Sequence, residues 1–104
     1  MDKYILSSKI FKALSSPIRL RIIEIIQKRK CNISKIKEEL KLSQSSISQH
    51  IKLLEDAGII TKIKKENHIF CEIKHREIFK ILKTVNFIMR NEITSSGILL
   101  EKSN

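Results

Sequence analysis

Between Leu42 and Gly58 the chain reads LSQSSISQHIKLLEDAG, and the polar side chains of this stretch suit hydrogen bonding more than charge. Gln44, Ser45, Ser48, Gln49 and Lys52 lie together on one side at helical spacing, while Ile47, Ile51 and Leu54 recur at i, i+4 and i+7 on the other. A helix face that merely meets water usually alternates Lys and Glu. This face carries hydroxyls and primary amides, which both donate and accept, and so match base edges and phosphate oxygens in a major groove. Ser43, just before it, suits an N-cap, its hydroxyl accepting from a free N–H of the first turn. Catalysis finds no comparable set: there is no Gly-rich phosphate loop, no nucleophile motif and no clustered acid/base group, so no enzyme is expected and no cofactor.

The elements that must position this stretch can be taken in order. Leu6, Ile10, Ala13 and Leu14, with Ile5 and Phe11 beside them, predict a first helix over residues 3 to 14. Ser16 caps and Pro17 begins a second helix to Lys28, since the N–H that proline lacks has no partner at that position. Ile18, Ile22, Ile25 and Ile26 on one side and Leu20 and Ile23 on another make this helix central, with Arg19 and Arg21 projecting from its first turns. Lys28-Arg29-Lys30 complements the negative end of the helix dipole or clamps a phosphate. Asn32 caps a third helix, about Ile33 to Lys41, with Ile33, Ile36 and Leu40 inward. Leu42-Ser43 then leaves room only for a tight turn, and two short helices so joined form a helix-turn-helix.

After Gly58 the period changes. Ile59 to Ile63 and Ile69 to Ile73 are β-branched runs flanking Lys64-Lys65-Glu66-Asn67-His68, and Ile69, Cys71 and Ile73 alternate with Phe70 and Glu72. This predicts a hairpin, or wing, over 59–73, with one packed face and a basic tip able to lie along a DNA backbone. A last helix, about His75 to Ile93, carries the stripe Ile78, Ile81, Leu82, Val85, Ile88 and Met89, with Phe79 and Phe87 elsewhere. Thr94-Ser95-Ser96-Gly97 is expected to break it, giving one domain over 1–93 and a short tail over 94–104. Ile98-Leu99-Leu100 within that tail either folds back or frays.

A chain of 104 residues cannot easily cover both terminal helices in one core. The spare apolar surface of Leu6, Ile10, Phe11, Ile78, Ile81, Leu82, Val85, Ile88 and Met89 therefore predicts a second copy related by two-fold symmetry. The fold class is mainly α with a small β-hairpin, a winged helix-turn-helix in the order α-α-α-α-β-β-α, dimeric through its first and last helices.

The net charge of +10 points to nucleic acid first and an anionic membrane second, although the abundance of Ile and Lys is also what A/T-rich codons produce. No apolar run approaches the length of a membrane span, and MDKYILSSK lacks the features of a signal peptide, so a cytoplasmic protein without a membrane partner is expected. Cys31 and Cys71 form no CxxC or CxC, and in the cytosol a structural disulfide between them is not expected.

With these parts in view, the chain resembles the ArsR/SmtB-type winged-helix repressors. The matching runs are Ala13-Leu14-Ser15-Ser16-Pro17-Ile18-Arg19-Leu20-Arg21-Ile22-Ile23, then Leu42 to Leu54, then Ala57-Gly58-Ile59-Ile60, and the likeness covers about residues 5 to 90. The resemblance implies a homodimer on double-stranded DNA, its two recognition helices in successive major grooves of a near-palindromic operator, about 34–36 Å apart. Repression would follow from exclusion of RNA polymerase.

Where metal-sensing members carry Cys-x-Cys at the start of the third helix, this chain has Asn32-Ile33-Ser34, with Cys31 one position early. On the last helix it offers His75, Glu77 and Glu92, not a set of three ligands, and no metal site is expected. Some relatives join two cysteines, one on the last helix. Here Cys71 falls on the hairpin, where it reads as a small buried hydrophobe. Cys31, beside Lys28, Arg29 and Lys30, is the candidate redox-reactive thiol.

On these grounds Gln44, Ser45, Ser48 and Gln49 are assigned to bases, and Ser43, Ser46 and Lys52 to phosphates. Lys62, Lys64, Lys65 and Asn67 are assigned to the wing's backbone contacts, and His50 to positioning through backbone or phosphate. His68 is either a solvated turn residue or a backbone contact. Two alternatives stay open: a repressor of the same fold that senses nothing or answers to a protein partner, and a winged-helix module that binds protein or RNA. The residues point to no particular effector.

Overall fold

The computed structural model describes residues 1–29 and 31–96; Lys30 and the Ile98-Leu99-Leu100 run lie outside the described residues. Five helices and one hairpin follow in the expected order: α1 (Lys3–Leu14), α2 (Pro17–Lys28), α3 (Ile33–Leu40), α4 (Gln44–Asp56), β1 (Ile60–Lys65), β2 (His68–Ile73) and α5 (Glu77–Ser96).

Side-chain caps start four of the helices. Asp2, Ser16, Asn32 and Ser43 accept from the backbone N–H of Tyr4, Arg19, Lys35 and Ser46, filling donors that have no intrahelical partner. The ends of α3 and α4 both close with paired reverse hydrogen bonds. At α4, Gly58 N–H donates to Glu55 C=O (2.9 Å) and Ile59 N–H to Leu54 C=O (3.0 Å), with Gly58 at φ 76°. At α3, Lys41 N–H donates to Glu38 C=O (3.2 Å) and Leu42 N–H to Lys37 C=O (3.0 Å). Here the left-handed residue is Lys41, at φ 55°, where a glycine would be the unstrained choice. The helix-turn-helix therefore turns without a glycine.

The core is built of branched side chains from every layer. Ile22 and Ile23 of α2, Ile36 of α3, Ile47 and Leu54 of α4, and Ile59 and Ile60 at the entry to the hairpin are fully buried. Each such side chain stabilises the fold by roughly 1.5–3 kcal/mol relative to exposure. These contacts fix α4 against α2 and α3, and so fix which of its faces points outward.

β1 and β2 pair antiparallel from Ile60↔Ile73 to Lys65↔His68, leaving Glu66 and Asn67 as a two-residue turn. The expected five-residue tip is thus mostly strand. A single bridge between Asn32 and Phe70 ties the start of α3 to the hairpin.

Three expectations are corrected. The α5 helix starts at Glu77 and continues to Ser96, past the break expected at Thr94. The hydroxyls of Thr94 and Ser96 donate to the carbonyls of Arg90 (2.9 Å) and Glu92 (2.8 Å), so residues that often break a helix here bond back along it. Ile69 is exposed although Cys71 and Ile73 on the same side of the hairpin are covered, because it pairs with Lys64 beyond the edge of the core. Ile78 is buried in the chain's own core, not presented to a second copy.

Candidate nucleic-acid interface

The burial of Ile47, Ile51 and Leu54 leaves Gln44, Ser45, Ser48, Gln49 and Lys52 exposed on α4, with Ser46 and His50 half-buried at its margins. Several of these side chains are linked before any ligand arrives. Gln44 Nε2 donates to Ser48 Oγ at 3.1 Å, and the Ser43 and Ser45 hydroxyls lie 3.2 Å apart. Ser43 Oγ also accepts from Ser46 N–H at 3.1 Å, so one of its lone pairs serves the cap and its proton is what it has to offer a phosphate. Lys52 Nζ lies 3.5 Å from Asp56 Oδ2 one turn on, an exposed pair.

The wing stands beside this face. Lys62 Nζ reaches Glu55 Oε1 at 3.5 Å, bracing β1 against α4, while Lys64, Lys65 and Asn67 are exposed. Between α4, the start of α3 and the hairpin lies an open cleft of ≈ 270 Å³, whose lining includes Ser34, Gln44, Ser48, Lys62, Asn67 and His68. His68 is placed by Asn32, whose Nδ2 lies 3.4 Å from His68 Nδ1.

His50 has a partner that sequence reasoning did not provide. Arg19 Nη1 lies 3.2 Å from His50 Nδ1, while Arg19 Nε donates to Ala13 C=O (2.6 Å) and Nη2 to Lys12 C=O (3.1 Å). Burial, and then the neighbouring Arg19 charge, hold the imidazole below its ordinary pKa of 6.5. An arginine in a helix's first turn reads as solvated in sequence, and nothing local announces a contact 31 residues away.

Both cysteines are free and buried. Burial pushes the Cys71 thiol up to about 11, consistent with its reading as a small core residue. Cys31 is covered to a similar degree, and its Sγ accepts from Arg29 Nε at 3.2 Å, while the same guanidinium meets Glu39. The expected cationic neighbour of Cys31 is present, but the thiol is buried, and reactivity requires access as well as cationic neighbours. Among the described residues no group of three or more His, Cys, Asp or Glu is placed to hold a metal, and no helix is long and apolar enough to cross a membrane.

Of the residues assigned to a second copy, Leu6, Phe11, Val85, Ile88 and Met89 are exposed, and Ile10, Ile81 and Leu82 pack partly against the core. Tyr4, Ile5 and Phe87 extend this exposed apolar surface along α1 and α5. Phe11, Leu14, Leu20, Ile23, Leu82 and Val85 help line a groove of ≈ 340 Å³ between α1, α2 and α5.

Comparison with known proteins agrees with this geometry. Residues 16–62 match the model of the "bacterial regulatory protein, arsR family", a span from the cap of α2 into β1. The chain is 34% identical over 87 residues to an uncharacterised HTH-type transcriptional regulator of Methanocaldococcus jannaschii, covering 83% of this chain and 98% of the relative. It is also 34% identical over 73 residues to an arsenical resistance operon repressor of Bacillus subtilis, covering 69% and 70% of the two chains. Among solved structures, the homodimeric winged helix-turn-helix DNA-binding domain of a Mycobacterium bovis protein superposes with a TM-score of 0.79 at 13% identity, covering 86% of this chain and 83% of that one. The α4 face, the hairpin beside it and this likeness over nearly the whole of a relative lead to one assignment: the chain belongs to the ArsR family of winged helix-turn-helix, DNA-binding transcriptional regulators.

Proposed function

We propose that the protein is a homodimeric repressor in the cytoplasm that recognises a near-palindromic operator through α4 and the wing. The observation that carries this reading is the exposed, nearly uncharged face of Gln44, Ser45, Ser48 and Gln49, held outward by buried Ile47, Ile51 and Leu54. These four side chains read base edges. Ser43, Ser46, His50 and Lys52 hold phosphates at the helix margins, and Lys62, Lys64, Lys65 and Asn67 follow the backbone along the wing. The net charge of +10 supplies the sequence-independent attraction. Two copies join through the exposed apolar strip of α1 and α5, which among the described residues includes Leu6, Phe11, Val85, Ile88 and Met89. The two-fold axis sets the recognition helices about 34–36 Å apart, one turn of duplex.

Nuclease footprinting of the DNA upstream of the protein's own gene tests this reading. Two protected half-sites related by a dyad are expected. Absence of protection there and across a genomic fragment library would overturn it.

A further inference from the structure

We infer that Arg19 is a positioning residue for DNA binding: its guanidinium joins the carboxyl end of α1 to His50 of α4 and holds the imidazole with its one proton on Nε2, directed to a DNA phosphate. This rests on the reading of α4 as the DNA-contacting helix.

A guanidinium offers five N–H groups and accepts nothing. At the Arg19–His50 contact Nδ1 must therefore be the acceptor, and the proton of the neutral ring sits on Nε2. The other two contacts go to C=O groups in the last turn of α1, which lack an intrahelical donor: Ala13, and Lys12, whose oxygen also accepts from the N–H and hydroxyl of the capping Ser15. One rigid plane thus serves two helices, which the single flexible ammonium of a lysine cannot reproduce.

His50 is half-buried, and among the described residues no side-chain nitrogen or oxygen is both buried and without a partner. Among the described residues no group bonds Nε2, so this N–H faces outward on the helix that carries Gln49 and Lys52. A phosphate oxygen there would receive a charge-assisted hydrogen bond. The same contact ties the recognition helix to α1, whose exposed Leu6 and Phe11 belong to the proposed surface for a second copy. The relative setting of the two recognition helices in a dimer then depends on Arg19.

Two measurements test this. In the free wild-type protein, nitrogen NMR of the His50 ring is expected to show Nδ1 without a proton and Nε2 protonated, with a titration midpoint below that of an ordinary histidine. Arg19→Met moves the midpoint upward, which loss of a helix cap alone would not do. A proton on Nδ1 of the wild-type protein overturns the inference, and this result needs neither DNA nor a variant.

The second measurement is a double-mutant cycle of affinity for a labelled mixed-sequence duplex at low salt. Arg19→Lys, which keeps the charge, is expected to weaken binding by about tenfold in the native background and less than about twofold beside His50→Ala. Equal losses in both backgrounds, or none in either, would show that Arg19 does not act through His50. A wild-type protein that binds no duplex would instead remove the reading of α4 itself.

Discussion

Lys62, on the first strand of the wing, reaches back to Glu55 on the recognition helix, Nζ to Oε1 at 3.5 Å. The pair braces the two elements proposed to approach DNA together, and it also keeps one wing cation partly neutralised. Both side chains are partly exposed, so the pair itself is worth about 0–1 kcal/mol. Glu55→Gln is expected to leave the thermal midpoint almost unchanged and to tighten binding to any duplex, with a steeper dependence on salt as Lys62 turns to phosphate. An anisotropy titration at several salt concentrations checks this; weaker binding would mean that the brace matters more than the charge.

Base reading and backbone holding separate in a second experiment. Gln49→Ala is expected to cost about 1–3 kcal/mol on the preferred sequence and little on random DNA, if its amide meets a base in bidentate fashion. Lys64→Ala should weaken both alike and lower the salt slope by about one unit. Identical behaviour of the two variants on both kinds of DNA would contradict this division of labour.

The turn of the helix-turn-helix yields a stability prediction. Lys41 occupies a left-handed conformation at φ 55° that costs a non-glycine residue roughly 1–2 kcal/mol. Lys41→Gly should raise stability by about 0.5–1 kcal/mol, a rise of a few degrees in Tm for a domain of this size. Gly58→Ala, at φ 76° with open space around its Cα, should do the reverse by a similar amount. Calorimetry of the two variants checks both signs.

The helix-turn-helix was legible in the sequence because capping residues, apolar period and turn length all point the same way there. Asn32, Ser43 and Gly58 mark ends that local chemistry alone decides. What was not legible depends on approach in space. The role of Arg19 required α1 to end beside α2 and His50 to arrive from 31 residues away. Lys41 hides its left-handed turn because it is not glycine. Ile69 alternates correctly with Cys71 but lies beyond the core that would have covered it, and Thr94 and Ser96 bond back along α5 where hydroxyls more often end a helix. In the proposed interface the individual side chains were legible but not their engagement. Lys52 was assigned to phosphate and Lys62 to the wing's backbone contacts, and each has a carboxylate at 3.5 Å that the sequence did not indicate.

Acid is expected to destabilise the fold through His50. Its folded pKa lies below the ordinary 6.5, so above that value the neutral ring is common to both states and the contribution is complete. As pH falls the unfolded chain takes up its proton first, and stability declines until the folded ring also titrates. Urea midpoints compared between about pH 7.5 and about pH 5.5 should therefore fall more for the wild type than for His50→Gln. An equal fall in both would place the acid sensitivity elsewhere.

The proposed dimer formation is expected to be separable from folding. Val85 and Ile88 are exposed on α5, so Val85→Asp removes nothing from the core of a single chain. Analytical ultracentrifugation is expected to give twice the 12.1 kDa chain mass for the wild type and a single chain for the variant, with the circular dichroism unchanged. A wild-type monomer at micromolar concentration would contradict the two-fold assembly.

The central claim is that the α4 face reads sequence, and selection of binding sites from a randomised duplex pool tests it most directly. The wild type is expected to enrich a motif of two symmetric half-sites about one helical turn apart, and a Gln44→Ala, Gln49→Ala double variant to bind the pool without enriching that motif. A double variant that enriches the same motif as strongly as the wild type would contradict the claim.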